Sequence, residues 1–338
     1  MQDAKGTGRE ELSAQITEGW GISCEIIQTS REWIQAIDSR RTLHLKILEM
    51  TPENILFVHE AKEYLAERGF TRLDRYVPTL AGLPCHPLGD VFMVMVDLPG
   101  GRESDFGDEH DLVQVSRTLA RMHQSSAGFH PSPQARGMDY TGLLPLYYRK
   151  RCDEMKRHFR EARKGKGRFD LEFALHGAKY CQLAEEVIDR LQTSSYRRIA
   201  GEYKQNPSLC HHDLIYRNVL LDKQGASLIN FEMCCIDIRS YDLANLIRRR
   251  MRKSGWKAES IRMVVKAYLE EGELLPGELE ILKLMLLFPQ KLWRIVNKYY
   301  NSRRGWGEKA YLAQLSEIIR EMEESVDLVE SLEPGSGL

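Results

Sequence analysis

One stretch constrains this chain more than any other: Leu209–Glu232, LCHHDLIYRNVLLDKQGASLINFE. His211 stands two residues before Asp213, and Asn218 stands five after it. Two apolar runs follow, NVLLD and ASLINF, which read as short strands. A tight loop in front of such strands turns its polar side chains toward one cleft. The groups it gathers suit phosphoryl transfer, which asks little covalent work of a protein. That reaction needs a carboxylate at the acceptor hydroxyl, oxygen ligands for Mg²⁺, and a cation on the nucleotide phosphates. Asp213 fits the first role, with His211 beside it in the loop, and Asn218 offers an amide oxygen to the metal. The plain alternative is a surface loop joining two strands.

The rest of the chain divides in two around this stretch. Ahead of it, CEIIQ, EWIQAI and TLHLKILEM read as strands, after a polar start and a short helix. Pro52 opens a helix with apolar residues at Ile55, Val58, Ala61 and Leu65, and Gly69 ends it. Val91–Val96 is an unbroken apolar run, as in a buried strand, and Pro99-Gly100-Gly101 breaks it. Lys46 sits on the third strand, where a phosphate-clamping lysine belongs, and Glu60 on the following helix is expected to pair with it. Glu63 is the competing partner. After Gly101 the periodicity becomes helical almost throughout. The expected architecture is therefore α+β and two-lobed like a protein kinase. Residues 1–99 form a small β-rich lobe with one main helix, and 100–332 form a large helical lobe. The linker falls near 99–103, and 333–338 form a loose tail.

Composition excludes several other classes. Lysine and arginine number 48 against 49 acidic residues, so no overall charge points to nucleic acid or a membrane surface. No apolar stretch is long enough to cross a membrane, and no signal core is visible, so synthesis in the cytoplasm is expected. Seven cysteines without a CxxC pair read as reduced thiols. RRRMRK (Arg248–Lys253) reads as a solvated helix end, with an electropositive patch for an anionic substrate or partner as the sharper alternative. RKGKGR (163–168) reads as a mobile basic loop. Trp293, Tyr299, Tyr300, Trp306 and Leu284–Phe288 read as core, with Trp293 and Tyr300 able to line a substrate pocket. His123 and His130 read as structural.

Together, HHDLIYRNVLL, LINFE and YDLANLI resemble the aminoglycoside phosphotransferase and choline kinase superfamily. LARMHQSSAGFHP, YYRKRCDEM, CCIDIRSYDLANLI and LLFPQKLWRIVNKYY resemble its CotS branch of spore coat proteins. The resemblance covers about residues 20–325. It implies ATP, or another nucleoside triphosphate, between the lobes, with adenine against Val96, Asp97 and Leu98. It also implies Asp213 as the catalytic carboxylate, Asn218 as a ligand of Mg²⁺, and Asp242 as a buried carboxylate capping amides of the catalytic loop. Assembly into the spore coat beside other coat proteins follows from the same resemblance, as does a small-molecule acceptor of unspecified kind.

Two departures qualify these expectations. The superfamily carries Ile-Asp-Phe-Asp or Ile-Asp-Phe-Glu where this chain has Ile229-Asn230-Phe231-Glu232. An amide at 230 brings no charge to a hard cation, so metal affinity and catalysis are expected to weaken. In an extended segment residues 230 and 232 point the same way, which lets Glu232 reach the metal in its place. Second, QTSREWIQAIDSRR (28–41) holds no glycine, although loops that cover phosphates rely on bare backbone. Thr29 and Ser30 offer hydroxyls instead.

Overall fold

The computed structural model describes residues 8–29, 33–39, 41–301 and 307–333. Ser30, Trp306 and residues 334–338 of the expected tail lie outside them.

The small lobe is one antiparallel sheet. Its strands are β1 (Glu25–Thr29), β2 (Ile34–Ile37), β3 (Thr42–Leu48), β4 (Arg75–Val77), β5 (His86–Leu88) and β6 (Val91–Asp97), in the order β1-β2-β3-β6-β4, with β5 also on β6. The apolar run at 91–96 is central because β6 is paired on both sides: Lys46 of β3 stands opposite Val94, and Arg75 of β4 opposite Asp97. Both faces of the sheet are covered. Helix α1 (Arg9–Trp20) buries Leu12, Ile16 and Trp20 against Ile26, Leu43, Leu45, Met93 and Met95. Helix α2 (Pro52–Glu67) lies on the other face and buries Ile55, Val58, Ala61 and Leu65. It starts where the sequence says it must. Thr51 accepts from Asn54 N, Pro52 occupies the first turn, and Gly69 leaves the helix at φ 88°.

The large lobe is helical. It comprises α3 (Glu109–Ser125), α4 (Leu144–Ala162), α5 (Arg168–Thr193), α6 (Tyr196–Gln205), α7 (Ser240–Ser254), α8 (Ala258–Leu269), α9 (Glu278–Leu287), α10 (Gln290–Asn301) and α11 (Glu308–Ser331). Leu284–Phe288 is core, as expected. Tyr299 stacks on Phe169 at 3.8 Å and joins the cluster formed by α4, α5, α10 and α11.

Between the lobes lies a three-stranded sheet that positions the site: β7 (Arg102–Glu103), β9 (Val219–Asp222) and β10 (Gly225–Leu228), in the order β10-β9-β7. The linker is therefore a strand. It packs so closely on β9 that a Cβ on Gly101 would meet Leu221 O at 2.7 Å, and Gly101 has φ 141°. On the other edge, Leu228 N donates to Arg72 O at 3.0 Å, and the Arg72 guanidinium reaches Ala226 O, Gly225 O and Asp222. A last short pair, β8 (Leu209–Cys210) with β11 (Cys235–Ile236), sets Cys210 opposite Cys235 and fixes the start of the loop at 211.

Candidate active site

The loop from His211 to Asn218 is held by its backbone. His211 N and His212 N both donate to Asp242, at 2.6 and 2.9 Å, from the first turn of α7. Burial by itself would raise the Asp242 carboxyl. The hydrogen bond to His123 and the nearby His211 and His212 outweigh burial and keep it below its ordinary value. His123 sits behind it, buried between Asp242 and the Tyr268 hydroxyl, where burial lowers its pKa. His211 points inward rather than into the cleft, with Nε2 against Ile229 O at 2.9 Å, so it fastens the loop to the end of β10. His212 takes φ 66°, a left-handed conformation costly for a residue with a Cβ. Its ring stacks between Tyr140 at 5.2 Å and Tyr241 at 4.2 Å. Two paired backbone donors and two flanking rings over-determine that conformation. Asp213 is then delivered half-exposed to the cleft.

Asp213, Asn218, Asn230, Glu232 and Lys46 meet at one place. Lys46 is buried, with 7% of its surface exposed. It donates to Asn230 Oδ1 and, at 2.7 Å, to Glu232 Oε1. Asn230 Nδ2 donates to Asn218 Oδ1 at 2.7 Å, and Asn218 Nδ2 donates to Asp213 O at 2.8 Å and Asp213 Oδ2 at 3.1 Å. The ends of this chain dictate its direction. An ammonium only donates and a carboxylate only accepts, so both amides between them must be oriented this way.

Three expectations are corrected here. Lys46 pairs with Glu232, not with Glu60 or Glu63. Glu60 accepts from Ser132 N at 2.8 Å and Ser132 Oγ at 2.5 Å, and Glu63 binds Arg75. Helix phase explains this: at 100° per residue, Glu60 and Lys62 lie on nearly opposite faces of α2. The face toward the sheet carries Lys62, fully buried 3.1 Å from Asp74 and 3.9 Å from the Tyr76 ring centroid. Sequence reading missed Lys62, although it continues the apolar row Ile55-Val58 toward Leu65 and was marked by that phase. Second, residues 230–232 are not extended. β10 ends at Leu228, Asn230 is left-handed at φ 67°, and Phe231–Met233 form a 3₁₀ turn. Asparagine tolerates that conformation better than most residues. Third, RRRMRK is solvated only at Arg252 and Lys253: Arg250 is buried against Phe106 O and Gly107 O, and Arg248 donates to Met285 O.

The donor set fits a hard dication poorly as it is arranged. The Asn218 oxygen is taken by an N–H and the Asn230 oxygen by an ammonium. The Glu232 carboxylate is already paired. Burial by itself would raise Glu232, but Lys46 and, behind it, Lys62 hold it below its ordinary value. On the other wall, Val96 is buried in the core while Asp97 is exposed and Leu98 half-buried, at the start of the linker.

Comparison with known proteins identifies the fold and the family. The chain is 24% identical over 286 residues to spore coat protein S of Bacillus subtilis (strain 168), covering 84% of this chain and 81% of that one. Its fold matches a crystal structure of an aminoglycoside phosphotransferase from Alicyclobacillus acidocaldarius, with a TM-score of 0.81 at 18% identity over 93% and 94% of the two chains. It also matches amicoumacin kinase hAmiN in complex with AMP-PNP, Ca²⁺ and Ami, with a TM-score of 0.63 at 14% identity over 99% of each. The expected two-lobed kinase-like architecture is thus the observed one. Residues 13–332 match the family model described as "Spore coat putative kinase YutH", and the chain belongs to that family of kinase-like spore coat proteins.

Proposed function

We propose that this chain is a spore coat protein that binds a nucleoside triphosphate between its lobes and transfers phosphate weakly or not at all. The observation that carries this reading is the hydrogen-bond chain Lys46–Asn230–Asn218–Asp213. Where the superfamily sequence has an aspartate, the Asn230 amide puts an N–H on Asn218, and Lys46 compensates Glu232 without a metal ion. The third N–H of Lys46, and Asp97 and Leu98 where β6 runs into the linker, remain for phosphates and base. The site residues do not suit Mg²⁺ in this arrangement, so no step is assigned to it. The spore coat relative supports assembly into the coat.

Melting curves test this directly. ATP at about 100-fold over its dissociation constant stabilises by about 2.7 kcal/mol. The expected shift is present with EDTA and changes little on adding Mg²⁺. Asn230→Asp leaves Asp213 and a second carboxylate on either side of Asn218. That variant is expected to make the shift Mg²⁺-dependent. No shift from ATP under either condition overturns nucleotide binding. A wild-type shift that requires Mg²⁺ overturns the metal-poor site.

A second reading, an active phosphotransferase for a small hydroxylated molecule, is favoured by Asp213. That carboxylate is held by Asn218 yet half-exposed, as a hydroxyl-orienting group must be. Single-turnover transfer from ATP to an acceptor, abolished by Asp213→Asn, would establish it.

A further inference from the structure

The acceptor side of the cleft is lined by arginines. Arg249 of α7 lies half-buried, with one nitrogen 3.4 Å from Asp213 Oδ1. Arg151 of α4 is half-buried beneath Trp293 of α10, its guanidinium 4.8 Å from the ring centroid, and bonds the neutral Gln290 amide at 2.8 Å. Tyr241, stacked on His212, neighbours both. Arg248 lies near Arg151 from α7, as does the exposed Arg294, which follows Trp293 on α10. Burial lowers the pKa of Arg151, and Arg248 and Arg294 push it the same way. Burial also lowers that of Arg249, which Asp213 partly restores while Arg294 and Arg252 oppose it. The nearby carboxylates are otherwise occupied: Glu321 pairs with Lys291, and Glu154 accepts from Trp293 Nε1 at 2.7 Å. Among the described residues none pairs Arg151, Arg248 or Arg294 with a carboxylate. Four arginines thus gather beside one another, and one of them, Arg249, reaches Asp213.

Like charges gathered at half-buried positions destabilise one another unless an anion joins them. Guanidinium groups hold carboxylate and phosphate oxygens through paired N–H bonds. We propose that the acceptor is a small hydroxylated anion, the phosphate ester of a polyol. Arg249, Arg151 and Arg294 hold its anionic group, and Asp213 receives its hydroxyl. A cationic amino alcohol would meet repulsion here. The contact of Arg249 with Asp213 is long and single, so an arriving anion draws the guanidinium away and frees the carboxylate. In the transfer, the acceptor oxygen bonds the γ-phosphorus, the bond from γ-phosphorus to the bridging oxygen of ADP breaks, and the hydroxyl proton passes to Asp213. This proposal rests on the reading of Asp213 as the acceptor-side carboxylate.

Calorimetric titration of the full chain without nucleotide tests it, and so separates its failure from a failure of nucleotide binding. The ligands are sn-glycerol 3-phosphate, inorganic phosphate, choline and ethanolamine. The expected order places glycerol 3-phosphate first, with Arg151→Gln and the exposed Arg294→Gln each weakening it about tenfold. Absence of glycerol 3-phosphate binding overturns the proposal. So does tighter binding of choline or ethanolamine, equal binding of inorganic phosphate, or unchanged affinity in the Arg294→Gln variant, whose folding an exposed site does not endanger.

Discussion

At the scale of single residues, Glu232 takes the lysine that spacing assigns to Glu60, while Glu60 holds Ser132. Glu232 faces two buried ammonium groups, and removing its charge leaves them partly uncompensated. Glu232→Gln is expected to cost about 3 kcal/mol in urea unfolding. Glu60→Gln keeps an acceptor for Ser132 and is expected to cost about 1 kcal/mol. Equal costs would return the anchoring role to α2. Asp213, Asn218 and Lys46 were legible because each sits at a fixed distance from a strong local pattern. Their convergence within hydrogen-bond reach came only with the fold. The Lys46 partner was not legible, because a carboxylate on the next helix and one far along the chain look alike until the helix phase is known. The pair Lys62–Asp74 hid for a related reason: a lysine in an apolar row reads as surface unless its partner is seen.

At the scale of elements, the period-two and helical patterns found the central strands and nearly every helix, including α2 with both its ends. The segment after β10 was read as continuous strand because Ile229-Asn230-Phe231 is apolar on average. Only the backbone shows that Asn230 turns left-handed and ends the pairing. The linker was legible as a break but not as a strand. β7 has just two residues, and pairing with β9 rather than propensity makes it one. Gly101 permits that approach. Gly101→Ala is expected to cost at least about 2 kcal/mol, because it combines positive φ with a Cβ against Leu221 O. A destabilisation under about 0.5 kcal/mol in urea unfolding would mean that the strand yields easily.

At the scale of the whole molecule, buried acids behind the loop set how stability responds to pH. Burial, with Asp242, Asp139 and Glu278 nearby, pushes Asp237 up to about 7, while the Ile238 N–H opposes the rise. Between about pH 4 and 7 the folded chain keeps a proton that the unfolded chain has released, taking the ordinary aspartate value as the unfolded one. Stability therefore falls as pH rises through that window, and the loss is complete above about 7. Asp237→Asn is expected to raise the melting temperature at pH 8 by a few degrees and to change it little at pH 4. An equal change at both values would exclude titration of this group as the cause.

The β9–β10 hairpin is gripped from two edges, by Arg102–Glu103 on one and by Leu73 and Arg72 on the other. A body clasped twice along one axis resists bending there. Under the proposed function, a member of a layered shell would gain from such stiffness whatever its rate of chemistry.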